Sequence, residues 1–407
     1  MTEQAVIRDV GHAGDGVAET EGGRVFVPLT LPGERVEFER QGERGTLLTV
    51  LSPSAERQEP PCRHFGACGG CALQHWHQQP YLAWKSEQVA AALAQRGLAA
   101  PIRPIIPANP GDRRRTVLTA LRRVGGAILG FARRSSNEVV AIEECPVTAP
   151  AIVTAFPTIR QIAATVLGPG ERAQVAVTLT DVGLDVSIEA DRLASADSAA
   201  LLRFASVPSL ARLTVAGETI FQTREPVLAV GQSYLHPAPG GFLQATAPAE
   251  AALAAAVDEA AGENGPVADL FCGVGTFTLR LAKRTPVLAM DSDPAALAAL
   301  QKATHRARGI KAVTARRRDL MRSPPTPTEL RGFAAVVFDP PRAGARRLAE
   351  ELAQSTVPRI AAVSCNPATF ARDARILVDG GYALSWVQPV DQFLFSPHIE
   401  LAAAFQR

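Results

Sequence analysis

The spacing of apolar residues divides the chain into three parts. In residues 4–52, apolar and polar positions alternate in short runs that are separated by glycine turns. An alternation of period two indicates half-buried strands, and several of them in about 50 residues predict a small β-barrel of the oligonucleotide-binding kind. The three prolines of residues 53–61 indicate a linker. Beyond it, a helical spacing runs from 79 to 96 and strand-like runs follow between 113 and 235.

From about residue 240 onward, apolar strand-like runs alternate with helical segments. The strands are expected near 267–271, 286–290, 311–314, 334–338, 359–363, 382–388 and 399–405. Such an alternation predicts an α/β fold with a doubly wound sheet. We therefore expect three domains, which are a barrel over 1–55, a central α+β domain over 56–240 and a doubly wound domain over 241–407.

Composition places the chain among soluble proteins. Of its 407 residues, 47% are hydrophobic and 20% are charged. No apolar run approaches the roughly 20 residues of a membrane span, and the N-terminus lacks the layout of a signal peptide. The sequence thus predicts a cytoplasmic protein without a membrane partner, and a monomer is the default. In a reducing compartment, clustered cysteines indicate metal binding or catalysis before disulfides.

Charge is distributed unevenly, although the net charge is only +2. Residues 1–60 contain 6 Arg and 11 Asp or Glu, whereas residues 103–134 contain eight Arg and a single acid, Asp112. A second basic run extends from 302 to 322. Arginine binds phosphate oxygens in pairs, so two such runs favour a polyanionic partner.

Four cysteines suggest a metal site. Cys62, Cys68 and Cys71 have the spacing C-x5-C-x2-C, and Cys145, which precedes a proline, is the natural fourth ligand. Four thiolates suit either an iron–sulfur cluster or a tetrahedral zinc ion. The spacing differs from the paired halves of zinc ribbons, but by itself it leaves the choice of metal open.

A glycine loop after the first strand of the C-terminal part predicts a cofactor site. Gly273 and Gly275 allow a tight turn and a close approach to a ligand, but the third glycine of a dinucleotide fingerprint is replaced by Thr278. Asp291, at the end of the next strand, is placed to bind ribose hydroxyls, and Asp319 to bind an adenine amine. An acidic site without a phosphate cradle favours the cationic S-adenosylmethionine over NAD.

Later strand ends supply candidate catalytic groups. Asp339 begins an Asp-Pro-Pro run that stiffens the strand exit and holds the carboxylate towards the cleft. Cys365 follows another apolar run, and a thiolate there can add to C6 of a pyrimidine and so activate C5 for methylation. The base that must then remove the C5 proton is expected from His398 and Glu400, which lie two apart on a strand. Cys272 is a competing thiol that we expect to pack inside the glycine loop.

These motifs together resemble the RNA uracil-C5 methyltransferase family, over nearly the whole chain. The resemblance rests on Asp269-Leu-Phe-Cys-Gly-Val-Gly, on Asp339-Pro-Pro-Arg and on Ser364-Cys-Asn-Pro-Ala-Thr. It implies a class I methyltransferase sheet, an N-terminal TRAM domain, a 4Fe–4S cluster on the four cysteines and an RNA substrate. Because the TRAM domain belongs to ribosomal members, ribosomal RNA is favoured over transfer RNA.

The resemblance also implies roles for individual residues. Cys365 becomes the nucleophile, Glu400 the base and Asp339 a group beside the uracil or the donor. Donor contacts are implied for Gln244, Phe271, Gly273, Thr276, Asp291, Asp319 and Asp339. The chain departs from the family pattern at Thr246, Thr276, Asp291, Leu394 and Ser396, where Asn, Asn, Glu, Pro and Thr are usual.

Four other functions remain to be weighed. A methyltransferase for exocyclic amines would carry an aromatic residue where Arg342 follows Asp339-Pro-Pro, and a cytosine-C5 enzyme would carry a Pro-Cys run there. An RNA-binding protein with a vestigial methyltransferase fold would not need an intact Cys365 and Glu400. A redox iron–sulfur protein is favoured by nothing beyond the four cysteines.

Overall fold

The N-terminal residues form a closed five-stranded barrel. The computed structural model describes residues 2–190 and 195–407. Barrel strands are β1 Thr2–Val10, β2 Gly16–Thr20, β3 Gly23–Val27, β4 Arg35–Gln41 and β5 Arg44–Ser52, in the order β1-β2-β3-β5-β4. The alternation found in the sequence matches the inward-facing core of the barrel, although β2 falls partly where only a glycine turn was expected.

A single long helix connects the barrel to the rest of the chain. Helix α1, Gln78–Ala94, packs its apolar face against helix α9, which belongs to the C-terminal part and spans Pro367–Asp379. The Trp84 indole donates a hydrogen bond of 2.9 Å to the Val10 carbonyl at the end of β1. One helix thus contacts both the barrel and the C-terminal sheet.

The central part is a seven-stranded sheet covered by helices. Its elements are β6 Arg115–Arg123, β7 Gly126–Ala132, β8 Val139–Ala141, α2 Pro150–Thr154, α3 Phe156–Val166, β9 Arg172–Thr180, β10 Gly183–Glu189, α4 Ser195–Leu201, β11 Leu210–Val215 and β12 Glu218–Gln222. The strand order is β12-β11-β10-β9-β6-β7-β8. A short hairpin, β13 Leu228–Val230 and β14 Ser233–Leu235, follows it.

The C-terminal part is a doubly wound α/β sheet, as the sequence predicted. Its elements are α5 Ala247–Ala261, β15 Val267–Leu270, α6 Thr278–Leu281, β16 Val287–Asp291, α7 Pro294–Arg306, β17 Val313–Arg317, β18 Ala335–Phe338, α8 Arg346–Ala353, β19 Arg359–Ser364, α9, β20 Ala383–Val390 and β21 Glu400–Gln406. Their order is β17-β16-β15-β18-β19-β21-β20, with β21 antiparallel to β19. Helix α6 is a single turn of four residues between β15 and β16.

The helices of the described residues include none that combines the length and hydrophobicity needed to cross a bilayer.

Candidate active site and cysteine cavity

The sheet brings Cys365, Asp339 and Glu400 together at one edge. Asp339 directly follows β18 and Cys365 directly follows β19, and parallel neighbours deliver their carboxyl ends to the same edge. Strand β21 runs the other way, so its first residue, Glu400, lies at that edge too. In the register of these strands, Ser364 pairs with Leu401, which sets Glu400 opposite Cys365.

Burial makes this group strongly coupled electrostatically. Burial and the Asp339 charge raise the pKa of Glu400, and burial raises the pKa of Asp339. The two carboxyl groups therefore resist carrying two charges at once. Burial, followed by the charges of Glu400 and Asp339, raises the pKa of Cys365 to about 11, while the Arg342 guanidinium acts to lower it. In the free protein the thiol is thus protonated at neutral pH.

Two glutamines connect these acidic groups. The Gln244 amide donates a hydrogen bond of 3.2 Å to Asp339 Oδ2 and accepts one of 2.9 Å from the Gln392 amide. Gln392 also accepts a hydrogen bond of 3.0 Å from the Ala245 backbone N–H, and its amide acts to lower the pKa of Glu400. Gln244 was a sequence prediction, but Gln392 was not. Its only signal was its position inside the segment that ends at Glu400.

The glycine loop after β15 has an open face. Gly273 has a positive φ of 52°, and a Cβ added there would meet nothing within 4 Å. Its N–H donates a hydrogen bond of 2.8 Å to Asp291 Oδ2, so the carboxylate that ends β16 faces the loop. Phe271 also has a positive φ, 59°, which is a strained backbone for a bulky residue. Strain in a loop beside an open pocket is typical of a ligand-binding site.

Asp269 is a second acid of this loop, to which sequence reasoning gave no role. Its side chain is fully buried and accepts a hydrogen bond from Thr278 through Oδ2, but its Oδ1 has no partner. Burial raises the pKa of Asp269 to about 7, and the charges of Asp339 and Asp291 add to the shift. A buried, unpartnered carboxylate oxygen at the end of a strand is suited to bind a cationic group of a ligand.

The remaining predicted donor contacts lie around the same loop, in different environments. Thr276 is buried within it. Asp319 follows β17 and is 49% exposed, with Oδ2 lying 3.6 Å from Arg322 and Oδ1 accepting the Met321 and Arg322 N–H groups. Cys272 is buried, and its raised pKa keeps it a neutral thiol, as expected of a packed residue.

Cys62, Cys68, Cys71 and Cys145 line one solvent-connected cavity with an internal volume of about 50 Å³. All four are free thiols. Burial raises the pKa values of the first three, that of Cys71 to about 12, and negative charge on neighbouring cysteines raises them further. Several thiolates in this cavity would therefore need a cation to neutralise them.

The same cavity contains an unpartnered cationic group. Arg113 is part of its wall, and its Nε is buried without a hydrogen-bond partner. Phe393, Leu394 and Ser396 form another part of the wall, so the cavity borders the segment that leads to Glu400. Throughout 2–190 and 195–407, no three His, Cys, Asp or Glu side chains are arranged to hold a single metal ion.

Part of the first arginine run is used inside the fold. Arg114 is buried in an ion pair with Glu250 of α5 and also donates to the Gln244 carbonyl. Arg115 donates to the carbonyls of Gly240 and Gly241. The charges left for a polyanion therefore include the exposed Arg123 of this run and the exposed Arg316 and Arg317 of the second run.

Known proteins resemble this chain along its whole length. Residues 231–407 match the family described as tRNA (uracil-5-)-methyltransferase. An uncharacterized RNA methyltransferase of Caulobacter vibrioides is 47% identical, with 100% of both chains covered. One from Brucella suis biovar 1 is 46% identical, with 100% of this chain and 98% of the relative covered.

A relative with an assigned activity is more distant. The 23S rRNA (uracil(1939)-C(5))-methyltransferase RlmD of Aeromonas hydrophila is 30% identical over 98% of this chain and 95% of its own length. The crystal structure of Pyrococcus abyssi tRNA (uracil-54, C5)-methyltransferase, in complex with S-adenosyl-L-homocysteine, superimposes with a TM-score of 0.78. It covers 99% of each chain at 23% identity and so confirms the predicted fold.

Proposed function

The chain belongs to the RNA uracil-C5 methyltransferase family, and we propose that it methylates C5 of a uridine in RNA through a covalent adduct of Cys365. The observation that carries the proposal is the register that sets Glu400 opposite Cys365. A thiol and a base on either side of one bound ring are what addition at C6 and proton removal at C5 require.

S-adenosylmethionine is proposed as the methyl donor, and the residues of the glycine loop fit it. The open face at Gly273 leaves room for a ligand, and the unpartnered Asp269 oxygen suits its ammonium group. Asp291 would bind the ribose, and Asp319 the adenine. Gln244, Phe271 and Thr276 would complete the pocket. When bound, the donor supplies the methyl group that C5 acquires. The similar Pyrococcus abyssi enzyme was solved with the demethylated product, S-adenosyl-L-homocysteine.

The protein side chains carry out the bond changes around that transfer. The Cys365 thiol gives up its proton to solvent, and the thiolate sulfur adds to C6, which converts the C5–C6 double bond into a nucleophilic enolate. After methylation, Glu400 removes the proton from C5, the electron pair re-forms the C5–C6 double bond, and the C6–S bond breaks. Arg342 lowers the pKa of Cys365 and so favours the thiolate both as attacking and as leaving group.

Asp339 is proposed to orient the uracil. Its carboxyl lies beside Glu400 and is held by the Gln244 amide. As a carboxylate it accepts a hydrogen bond from N3–H of uracil, whereas the N3 of cytosine carries no hydrogen. Such a buried hydrogen bond is a strong source of discrimination, because the wrong base leaves it unpaired.

The four cysteines are proposed to hold a 4Fe–4S cluster. Support comes from the single cavity that all four cysteines line and from their spacing in the sequence. Arg113, with its unpartnered Nε, would neutralise part of the negative charge of cluster and thiolates. The cluster would order the contact between barrel and catalytic part.

Ribosomal RNA is proposed as the substrate. The 30% identity to RlmD, a 23S rRNA enzyme, extends over 98% of this chain, including its N-terminal barrel. In this reading the barrel, 1–55, is a TRAM domain that helps to bind RNA, 56–240 carries the cluster, and 241–407 carries catalysis. The protein would act as a monomer in the cytoplasm.

Trapping with 5-fluorouridine RNA tests the proposal. A base cannot remove the fluorine that replaces the C5 hydrogen. The methylated adduct should therefore persist as a denaturant-resistant complex of protein and RNA. The complex should require S-adenosylmethionine, and Cys365→Ala should abolish it together with methylation. Cys272→Ala serves as the matched control and should retain the complex. A Cys365→Ala protein that still methylates RNA would sink the mechanism, and methylation of cytidine-labelled RNA would identify a cytosine enzyme.

A further inference from the structure

Lys85 lies buried in helix α1, far from the strand ends in sequence, yet it binds the segment that leads to Glu400. We propose that Lys85 is a positioning residue for Glu400, because it ties together both ends of segment 391–399. The inference rests on the proposed function, since it assigns an effect on the step in which Glu400 removes the C5 proton.

All three N–H donors of the Lys85 ammonium group are used by this segment. Nζ lies 2.8 Å from Asp391 Oδ1, 3.2 Å from the Phe393 carbonyl and 2.6 Å from the His398 carbonyl. Asp391 and Phe393 begin the segment and His398 lies near its end. A single buried group thus closes the segment into a loop, and no solvent reaches it.

Asp391 is fixed from a second direction by the same helix. Tyr81, one helical turn before Lys85 and on the same face, donates a hydrogen bond of 3.0 Å to Asp391 Oδ2. The Asp391 carboxylate also accepts the Phe393 N–H, and its own N–H donates to the Ile106 carbonyl. Both side chains of α1 therefore act on the start of the loop.

The geometry of the loop determines where the catalytic carboxylate lies. Gln392, which acts on the pKa of Glu400, lies between Asp391 and Phe393, and β21 begins at Glu400, two residues after His398. If the His398 carbonyl loses the Lys85 donor, the start of β21 is held less firmly. Cys365 directly follows β19 and lies outside this loop. Loss of Lys85 should therefore slow proton removal more than thiol addition.

The experiment uses a double variant in which both members of the buried ion pair are replaced. Removing Lys85 alone would leave Asp391 buried without a partner and can prevent folding. In Lys85→Met/Asp391→Asn both charges are gone, so the fold is retained, but the two carbonyls have no donor. Tyr81→Phe is a milder variant that keeps the ammonium group. Arg212→Met/Asp185→Asn, which removes both charges of a buried pair in the central sheet, is the matched control.

Two readouts separate proton removal from addition. The first is release of tritium from RNA labelled at C5 of uridine, in a single turnover. The second is the fraction of protein in a denaturant-resistant complex with ordinary, non-fluorinated RNA. In Lys85→Met/Asp391→Asn, we expect tritium release to slow by about 100-fold, because a catalytic group that is misplaced by about 1 Å loses activity on that scale. The covalent complex should accumulate at the same time. Tyr81→Phe should show a smaller effect in the same direction, and Arg212→Met/Asp185→Asn should show neither effect.

The outcomes distinguish the inference from the proposed function. A folded Lys85→Met/Asp391→Asn protein that releases tritium as fast as the wild type overturns the inference. Equally slow release in Arg212→Met/Asp185→Asn also overturns it, because that result would indicate a general loss of stability. Glu400→Gln should accumulate the complex whether or not the inference holds. If it does not, the proposed function itself fails.

Discussion

Gln392 offers a sharp test of the acid–base arrangement, because its amide binds Gln244 and also acts on the pKa of Glu400. We consider the substitution Gln392→Met, which keeps the size of the side chain and removes its hydrogen bonds. Burial and Asp339 already raise the pKa of Glu400, and the Gln392 amide acts as a hydrogen-bond donor that lowers it. Loss of that donor therefore raises the pKa of Glu400 further.

The size of the effect follows from the energy of the bond. A hydrogen bond to a charged group contributes about 1.5–3 kcal/mol, and a pKa shift of one unit corresponds to about 1.4 kcal/mol. The pKa of Glu400 should therefore rise by about one to two units. Since the base works only when ionised, the acidic limb of the rate profile should move to higher pH by the same amount.

The assay is tritium release from C5-labelled uridine RNA, measured in single turnovers between pH 5 and 10. Gln388→Met is the matched control, because Gln388 is also buried but donates to the carbonyls of Pro104 and Pro389. Both variants leave buried backbone groups unpaired, which costs about 1–3 kcal/mol of unfolding free energy. Only Gln392→Met should shift the profile. An unchanged acidic limb in that variant would refute the role given to the amide.

Three further predictions concern the donor loop, the cysteine cavity and the RNA surface. Gly275→Ala should lower the unfolding free energy by about 2 kcal/mol or more, because φ is 96° and the new Cβ would lie 2.4 Å from Leu300 Cδ1. The variant should also lose S-adenosylmethionine binding in calorimetry, and a normal affinity would contradict this prediction. Cys71→Ser should eliminate the broad visible absorbance and the iron of anaerobically purified protein, whereas Cys272→Ser should retain both. Zinc in place of iron in the wild-type protein would refute the cluster. Arg316→Glu should weaken RNA binding and reduce the slope of log affinity against log salt by at least about one, and an unchanged slope would place Arg316 outside the interface.

The candidate catalytic residues could be predicted in large part because their positions follow from the topology of the sheet. Cys365 and Asp339 each follow an apolar strand, and the carboxyl ends of parallel strands meet at one edge. Glu400 is at the start of its strand, and it reaches the same edge because β21 is antiparallel to β19. A strand-end rule applied to the sequence thus brings Cys365 and Asp339 together, and the reversed direction of β21 adds Glu400.

The residues that hold this group in place could not be predicted in the same way. Lys85 and Asp391 are 306 positions apart, and an isolated lysine in a helix ordinarily indicates a solvent-exposed face. Gln392 lies inside the segment that ends at Glu400, but its hydrogen bond to Gln244 depends on how the fold places that residue. Arg114 was counted among charges for a polyanion, whereas it is buried against Glu250. Such contacts depend on tertiary packing, which cannot be derived from local sequence patterns or charge counts.

The most direct test of the central claim is a map of 5-methyluridine in the ribosomal and transfer RNA of a strain that lacks this protein. We expect one uridine of 23S ribosomal RNA to lose its C5 methyl group. The wild-type protein should restore it, and Cys365→Ala should not. A full set of 5-methyluridines in the deletion strain, or restoration by Cys365→Ala, would contradict the account.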